Sequence, residues 1–302
     1  MTPKVNIIVI LLLLAFVAAA LKRTDNRTSL GFNHLNGKVR SQQHIDSMLK
    51  YDATGVHIKL FIKTIDEYDT NGHLTRYVSY LPNGDINFTT SYKYNDSGLV
   101  SSTVHSKPDG SFIITHHAYK YDKRGNAIEH TIINDSTGVQ STVYSEYDDN
   151  GNLIKNYSYD KNGKQRISFN VKYDDNKHLI WKDANSTPPR TYSYKYDEKG
   201  DQIEEDEIDQ FGNASSSNVY LYDSTHRKIM AFFYLKNEFV KRDIYTYNKM
   251  GMIDTIRTLE SNNVVDVSIN HITYDTCGNW IFYNTYDNDT LTYVRKRLIE
   301  YY

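Results

Sequence analysis

The chain has 302 residues, a formal net charge of -2 and a mean hydropathy of -0.63. This balance excludes the basic surface that nucleic-acid binding requires, and it excludes a strongly acidic surface for a basic partner. The 27 tyrosines stand against 2 tryptophans and a single cysteine, Cys277, so no internal disulfide can form. Because tyrosine favours strands and joins an apolar ring to a polar hydroxyl, this composition indicates a partly buried sheet rather than a wide aliphatic core.

The N-terminal segment is the most apolar part of the chain. Lys4 precedes an apolar run from Val5 to Ala20 that ends in three alanines. This pattern predicts an apolar helix that serves as a secretory signal over residues 1–20, with cleavage after Ala20. The run is also about as long as the shortest spanning helices, so an uncleaved anchor is the alternative. Both interpretations place the bulk of the chain outside the cytoplasm: secreted, periplasmic or at the cell surface, with membrane contact only through this segment.

Residues 21–46 are polar and lack a period, which predicts a tether or a cap before the main domain. Near its end, Ile45, Met48 and Leu49 have helical spacing, so a short capping turn of helix is one prediction. A first irregular strand is the other. We expect this segment, or pairing between chains, to cover the free edges that an open sheet would expose.

From residue 47 to residue 302 a short motif divides the chain into similar lengths. Its form is Tyr-Asp/Asn-x-x-Gly, with the tyrosines spaced by 23 to 27 residues. Such a steady period predicts one repeat domain over residues 47–302. The copies after position 60 begin at Tyr68, Tyr94, Tyr121, Tyr147, Tyr173, Tyr196, Tyr222, Tyr247 and Tyr274. Where Lys177 and His226 replace the motif glycine, we expect the preceding residue to form a wider or more strained turn.

A second turn falls near the middle of each repeat, as at Leu81-Pro82-Asn83-Gly84 and Lys107-Pro108-Asp109-Gly110. The glycines of successive turns are 12 to 15 residues apart, which is the spacing of a strand and a turn. Each repeat is therefore predicted to be one β-hairpin. Pairs such as Tyr92 and Tyr94 would share a sheet face, because residues two apart in a strand point to the same side.

The pattern Tyr-x-Tyr-Asp-x-x-Gly-x-Leu/Ile resembles the YD repeat of the RHS-repeat family, over residues 47–302. The resemblance implies an all-β, elongated antiparallel hairpin repeat, a meander or partial spiral sheet. It also implies a secreted or surface location and carbohydrate binding by the repeats. The sequence departs from the family at the residue after the motif glycine, where the usual arginine is absent. The replacements are His73, Leu99, Asn126, Asn152, Asp201, Met252 and Asn279.

No catalytic, metal or cofactor site is predicted. Adjacent histidines on a strand point to opposite faces, and turns such as Asp148–Asn152 lack the later bidentate glutamate of a calcium loop. Cys277 has no base beside it in sequence, and consecutive acidic residues on a strand are typical of solvated positions. The residues weighed were His105, His116, His117, His130, Asp148, Asp149, Asn150, Cys277, Glu204, Glu205, Asp206 and Glu207.

The tyrosine rows have two interpretations. Beside Asn and Asp they could form a platform for sugars or a protein, or the rings could pack on one another and stabilise the sheet. We therefore expect a non-catalytic structural or binding module whose partner is an envelope polysaccharide or another surface protein, with no nucleic acid. The alternative is a truncated shell or accessory component of an RHS-like toxin system.

Overall fold

The computed structural model describes residues 35–52, 54–138, 140–159, 162–184, 190–209, 211–260 and 263–302. Residues 1–34, which include the predicted signal, lie outside this part of the chain. The described residues form a single antiparallel sheet of 20 strands. Their bounds are β1 Val39–Asp52, β2 Gly55–Tyr68, β3 Leu74–Tyr80, β4 Ile86–Tyr94, β5 Val100–Ser106, β6 Phe112–Tyr121, β7 Ala127–Asn134, β8 Gln140–Tyr147, β9 Leu153–Tyr159, β10 Gln165–Tyr173, β11 Leu179–Ala184, β12 Arg190–Tyr196, β13 Gln202–Ile208, β14 Ala214–Tyr222, β15 Lys228–Leu235, β16 Glu238–Tyr247, β17 Ile253–Glu260, β18 Asn263–Tyr274, β19 Trp280–Asp287 and β20 Thr290–Tyr301.

The predicted all-β hairpin repeat is confirmed, but the sheet is a closed barrel rather than an elongated or spiral one. Each strand pairs with the next in sequence, and β20 pairs with β1 from Val39 opposite Tyr301 to Met48 opposite Tyr293. The seam closes because β1 and β20 are long and antiparallel, so each supplies the partner that the other's free edge needs. Ser41 to Leu49 form strand rather than a turn of helix. Residues 39–46, within the segment predicted as a polar lead-in, thus belong to the sheet.

The part of the chain that the structure describes contains no helix that is long and apolar enough to cross a membrane.

The motif turns have one hydrogen-bond scheme. In the turn of Asp148, its Oδ1 accepts from the amides of Asn150 and Asn152 at 2.9 and 2.8 Å, and the amide of Gly151 donates to the Asp148 carbonyl at 3.0 Å. Gly151 has φ +79°, a left-handed conformation that favours glycine. These bonds explain why the turn that follows the motif tyrosine begins with Asp or Asn and ends with Gly.

The turns that lack the motif glycine are not wider, contrary to expectation. Lys177 and His226 themselves adopt φ of +68° and +63°, and their amides donate to Asp174 and Asp223 as the glycine amides do elsewhere. The conformational free-energy cost therefore arises because Lys177 and His226, which carry side chains, adopt the left-handed region. It does not arise at the residue before them. A histidine at this position also gains a contact, since His226 Nδ1 lies 2.9 Å from Asp201 Oδ2.

The two faces of the sheet differ in chemistry. We define the tyrosine face as the side that carries most of the motif tyrosines. In six repeats a tyrosine hydroxyl donates to the carbonyl two residues after the preceding motif turn, at 2.6 to 3.1 Å. The donors are Tyr94, Tyr119, Tyr147, Tyr196, Tyr222 and Tyr247. These tyrosines join successive hairpins, which confirms the packing interpretation for them.

The opposite side, the charged face, carries a repeated ion pair across each of several hairpins. The partners are nine residues apart and lie at 2.5 to 2.9 Å: Glu67 with Arg76, Lys120 with Glu129, Glu146 with Lys155, and Lys195 with Glu204. Being exposed, each contributes about 0–1 kcal/mol, so the pairs favour register more than stability.

The described residues form two small clusters of buried hydrophobic side chains. One joins Leu35, Val39 and Tyr68 at the seam, and the other joins Leu153, Phe169 and Val171. This agrees with the expected lack of a wide aliphatic core. Most of the fold is therefore stabilised by strand pairing and by side-chain bonds between hairpins.

Buried histidines on the tyrosine face make the fold sensitive to acid. His117 Nδ1 and His130 Nε2 lie 2.9 Å apart, so at least one ring must be neutral to accept the bond. Burial lowers the pKa of His130 to about 4, with a smaller effect from His117, and burial also lowers the pKa of His117, with a smaller effect from His116. A depressed histidine pKa means that the unfolded state binds more protons below about pH 6.5.

We therefore expect the free energy of unfolding to fall as the pH is lowered from about 6.5 to about 4, by roughly 1–2 kcal/mol for His130 after solvent screening, with a contribution of the same sign from His117. Urea unfolding between pH 7 and pH 4.5 measures the slope of the unfolding free energy against pH. His130→Phe preserves the stacking on Tyr119, whose ring centroid lies 4.5 Å away, and should flatten it. The exposed His271 of β18, a strand that pairs with β17 and β19 and not with this pair's strands, supplies the control: His271→Gln should leave the slope unchanged. An equal slope in the wild type and His130→Phe would contradict the assignment.

Candidate functional site

The described chain offers one group of tyrosines that differs from the motif tyrosines. Tyr144 of β8 and Tyr157 and Tyr159 of β9 lie on the charged face, because Tyr144 stands directly opposite Tyr157 and β9 residues two apart share a side. We call these three residues the tyrosine platform. Among the described residues, none of their hydroxyls donates to a backbone carbonyl as the motif tyrosines do. They are therefore not used to join hairpins.

The rings of the platform contact one another. Tyr144 and Tyr157 are stacked with centroids 5.3 Å apart and an interplanar angle of 19°, while Tyr159 meets Tyr157 edge-on at 5.7 Å. Tyr159 is 45% exposed, and Tyr144 and Tyr157 are half-buried. The cluster thus presents aromatic surface to solvent in a geometry that the rings themselves fix.

A charged pair flanks the platform. Lys155 Nζ donates to Glu146 Oε1 at 2.9 Å and lies 4.8 Å from the centroid of the Tyr157 ring. The bond to Glu146 raises the pKa of Lys155, and partial burial together with Glu146 raises the pKa of Tyr157. The site therefore combines an amine, a carboxyl group and phenol hydroxyls, which can donate to and accept from a polar ligand.

An open hollow of about 490 Å³ lies beside this group, bordered among others by Asp122, Glu146, Tyr144 and Tyr157. A second hollow of about 540 Å³ borders His178, Tyr194 and Tyr196. There the rings are already used, since Tyr196 donates to the Leu179 carbonyl and His178 stacks on Tyr196 at 4.6 Å. The platform is the better candidate for a free ligand.

The residues weighed for chemistry do not converge. Among the described residues, no group of three His, Cys, Asp or Glu side chains could hold a metal ion. His116 and His117 occupy opposite faces, and the Asp148 carboxylate is occupied by turn amides. Cys277 is exposed in a motif turn, where its amide donates to Asp275.

The acidic run of β13 is divided between the faces. Glu204 pairs with Lys195, Glu205 accepts from Tyr220 at 3.2 Å, and Asp206 accepts from Ser193 at 3.4 Å. Glu207 lies 3.5 Å from Arg190. Each carboxylate has a partner within the sheet, so the run does not form a facing pair of acids.

Comparisons with known proteins give fold neighbours only. No protein-family model matches the chain, and no curated protein does either. Among solved structures, TcdB2-TccC3-TEV is 13% identical with a TM-score of 0.35, covering 82% of this chain and 16% of that one. The Tc holotoxin pore of Photorhabdus luminescens is 14% identical with a TM-score of 0.35, covering 84% and 18%. This chain thus spans less than a fifth of either protein.

A third neighbour is a porin-like protein from Bacteroides uniformis, 12% identical with a TM-score of 0.38, covering 88% of this chain and 98% of that one. At these scores the neighbours carry no argument about function. The site must be interpreted from its own residues.

Sequence reasoning identified the tyrosine rows but not the platform. The predicted binding surface was based on the motif tyrosines, but their hydroxyls donate hydrogen bonds to neighbouring hairpins. The signal for the platform was Tyr157-Ser158-Tyr159, a Tyr-x-Tyr-Asp-x-x-Gly copy that stands at a mid-repeat turn, out of step with the motif tyrosines Tyr147 and Tyr173. Its partner Tyr144 becomes recognisable only through the register of β8 and β9.

Proposed function

We propose that the chain is a non-catalytic binding module, secreted or held at the cell surface, whose tyrosine platform binds carbohydrate. The observation that carries this proposal is the exposed, self-packed ring cluster of Tyr144, Tyr157 and Tyr159 beside the pair Glu146 and Lys155. Aromatic faces stack on the apolar faces of sugar rings, and flanking charged groups bond their hydroxyls. An open site of this kind implies a weak affinity for a single sugar unit. Binding becomes stronger on a polymer, because its repeated units can engage several sites at once.

The pairing of the acidic residue at the platform supports a role in binding rather than in hydrolysis. A glycosidase needs two carboxyl groups facing one substrate across about 5–9.5 Å, one of them with a raised pKa. At the platform, Glu146 is paired with Lys155 and its hydroxyl neighbour is Tyr157. The module therefore holds its ligand without reacting with it.

The test is a panel of soluble bacterial and plant polysaccharides, measured by retention in affinity electrophoresis. We expect at least one polysaccharide to retard the chain, and Tyr157→Ala to weaken that retention about tenfold, as for the loss of one stacking ring. Phe112→Ala is the matched control, since Phe112 is a 60% exposed ring on the charged face of β6. Retention that is equal in Tyr157→Ala and the wild type, or absent for the whole panel, would contradict the proposal.

The closed barrel favours a second function, that of a small shell component in an RHS-like toxin system. A shell must enclose a polypeptide without exposing free strand edges, and the pairing of β20 with β1 meets that need. If this is its role, the chain isolated from its producing cells should carry a second polypeptide that resists added protease until the barrel is unfolded. Recovery of the chain alone would count against it.

A further inference from the structure

The seam brings together the one pair of neighbouring strands in the described sheet that are not consecutive in the chain, β1 and β20. His44 and Arg297 lie directly opposite each other within it. His44 is on the tyrosine face, because it stands two residues after Gln42, whose Nε2 donates to the hydroxyl of the motif tyrosine Tyr68. Since β1 also pairs with β2, and β20 with β19, the seam can separate while both strands keep a partner.

The Nε2 atom of His44 has two contacts that require opposite protonation states. Arg297 Nε, which can only donate, lies 3.2 Å away across the seam. Gln42 Oε1, which can only accept, lies 3.0 Å away within β1. The Gln42 amide is held in this orientation because its Nε2 donates to Asp66 Oδ2 and to the Tyr68 hydroxyl, both at 2.7 Å. A proton on His44 Nε2 therefore exchanges the bond across the seam for a bond inside one strand.

The surroundings of His44 oppose a positive charge on its ring. Burial lowers the pKa of His44 to about 4, with smaller effects from Arg297 and then Arg295. In an opened seam the ring would regain its ordinary pKa near 6.5, so the open form binds more protons. Acid therefore favours opening from about pH 6.5 downwards, and the effect is complete near pH 4. The charged or titratable groups around the ring are Asp46 of β1, Asp66 and Tyr68 of β2, Tyr283 of β19, and Arg295 and Arg297 of β20.

Asp66 responds to acid in the opposite sense. Burial raises the pKa of its carboxyl group, so the folded sheet gains stability there as the pH falls. Its bond to Gln42, however, lies between β1 and β2, which a turn joins. The bond from Arg297 to His44 crosses the seam. Protonation of His44 therefore acts on the seam, whereas protonation of Asp66 acts on the first hairpin.

We propose that His44 is a proton-sensitive switch: when it is protonated, the seam between β1 and β20 separates and the barrel becomes an open sheet. The neutral ring accepts the bond from Arg297 and holds the seam closed. The imidazolium donates to Gln42 instead and repels Arg297 and Arg295 across the seam. The open form exposes two strand edges that the closed barrel pairs, so acid makes β1 and β20 available to another strand. This switch is independent of sugar binding at the tyrosine platform.

Hydrogen exchange of the backbone amides, measured by mass spectrometry on the whole chain at pH 7 and pH 4.5, tests the switch. After correction for the intrinsic pH dependence of exchange, peptides from β1 and β20 should exchange about tenfold or more faster at pH 4.5. Peptides from the β15–β16 hairpin, residues 228–247, contain no histidine and should not change. His44→Gln should remove the acid response, because a neutral amide can accept from Arg297 and donate to Gln42 at every pH. His116→Gln, at an exposed position of β6, is the control and should respond as the wild type does.

Faster exchange of β1 and β20 but not of residues 228–247 in the wild type, lost in His44→Gln, supports the proposal. Three results overturn it. The first is an acid response of equal size in the wild type and His44→Gln. The second is no response at the seam, or the same acceleration in residues 228–247, which would show global unfolding instead. The third concerns His44→Lys, whose permanent cation should give fast exchange of β1 and β20 already at pH 7: a seam protected as in the wild type would contradict the switch.

Discussion

Tyr68→Ala is expected to lower the free energy of unfolding by about 3–5 kcal/mol. Tyr68 is 3% exposed, packs with Leu35 and Val39, and accepts a bond from Gln42 Nε2 at 2.7 Å. Gln42 is itself 1% exposed and also donates to Asp66 Oδ2 at 2.7 Å. Truncation would therefore open a cavity at the seam and remove one acceptor from a buried amide. Urea unfolding followed by circular dichroism measures the change.

The matched control is the tyrosine at the same motif position two repeats later. Tyr121 is 41% exposed, and in its repeat Tyr119 rather than Tyr121 donates to the preceding hairpin. Tyr121→Ala should therefore cost about 1 kcal/mol or less. Equal losses in the two variants would show that the seam has no special role and that every motif tyrosine contributes alike.

Arg297→Ala is the second substitution from which we expect a large effect, about 3 kcal/mol or more. Arg297 is 6% exposed on β20, its guanidinium lies 3.8 Å from the centroid of Trp280, and its Nε donates to His44 Nε2 at 3.2 Å. Burial lowers the pKa of Arg297 to about 10, which leaves it charged at neutral pH. Its loss would leave a cavity beside Trp280 and remove a positive charge that interacts favourably with the Asp66 carboxylate.

Because this residue joins β20 to β1 and β19, we also expect Arg297→Ala to open the seam and to form dimers or larger species in light scattering. Lys296→Ala provides the control on the same strand, since Lys296 points to the charged face, where its Nζ lies 5.5 Å from the centroid of the exposed Phe282 ring. A stable monomer for Arg297→Ala, with the unfolding midpoint of the wild type, would contradict this account of the seam.

The hairpins could be predicted because their signals are local. Asp148 and Gly151 belong to one turn, and the same bonds recur at other motif turns, as at Asn95 and Asp197. A period of two in the strands then sets the faces without knowledge of distant residues. The two turns without glycine, at Lys177 and His226, are strained as one of the two expectations had it, but the strain lies at these residues themselves, because the recurring turn hydrogen bonds hold them in the left-handed conformation.

The closure of the barrel could not be predicted, because it depends on contacts between residues more than 230 positions apart. Asn36 exchanges bonds with Asn279, and the Tyr302 amide donates to the Lys38 carbonyl. No sequence motif predicts these long-range contacts. The polar sequence around Gln42 and His44 also lacks the alternation of apolar and polar residues that would predict a strand. The tyrosine platform could not be predicted for a related reason. The register of the strands determines which tyrosine hydroxyls donate to a backbone carbonyl and which do not.

The central claim is that β1 and β20 close the sheet into a barrel, and a disulfide across that seam tests it most directly. Ile45 and Lys296 are directly opposite in the register, where Cα atoms of antiparallel strands lie about 4.5–5.5 Å apart, within reach of a disulfide. In a Cys277→Ser background, Ile45→Cys with Lys296→Cys should oxidise to an intramolecular disulfide in a monomer, whereas Ile45→Cys with Val219→Cys of β14 should not. Failure of the first pair to form, or its formation only between chains, would contradict the closed barrel.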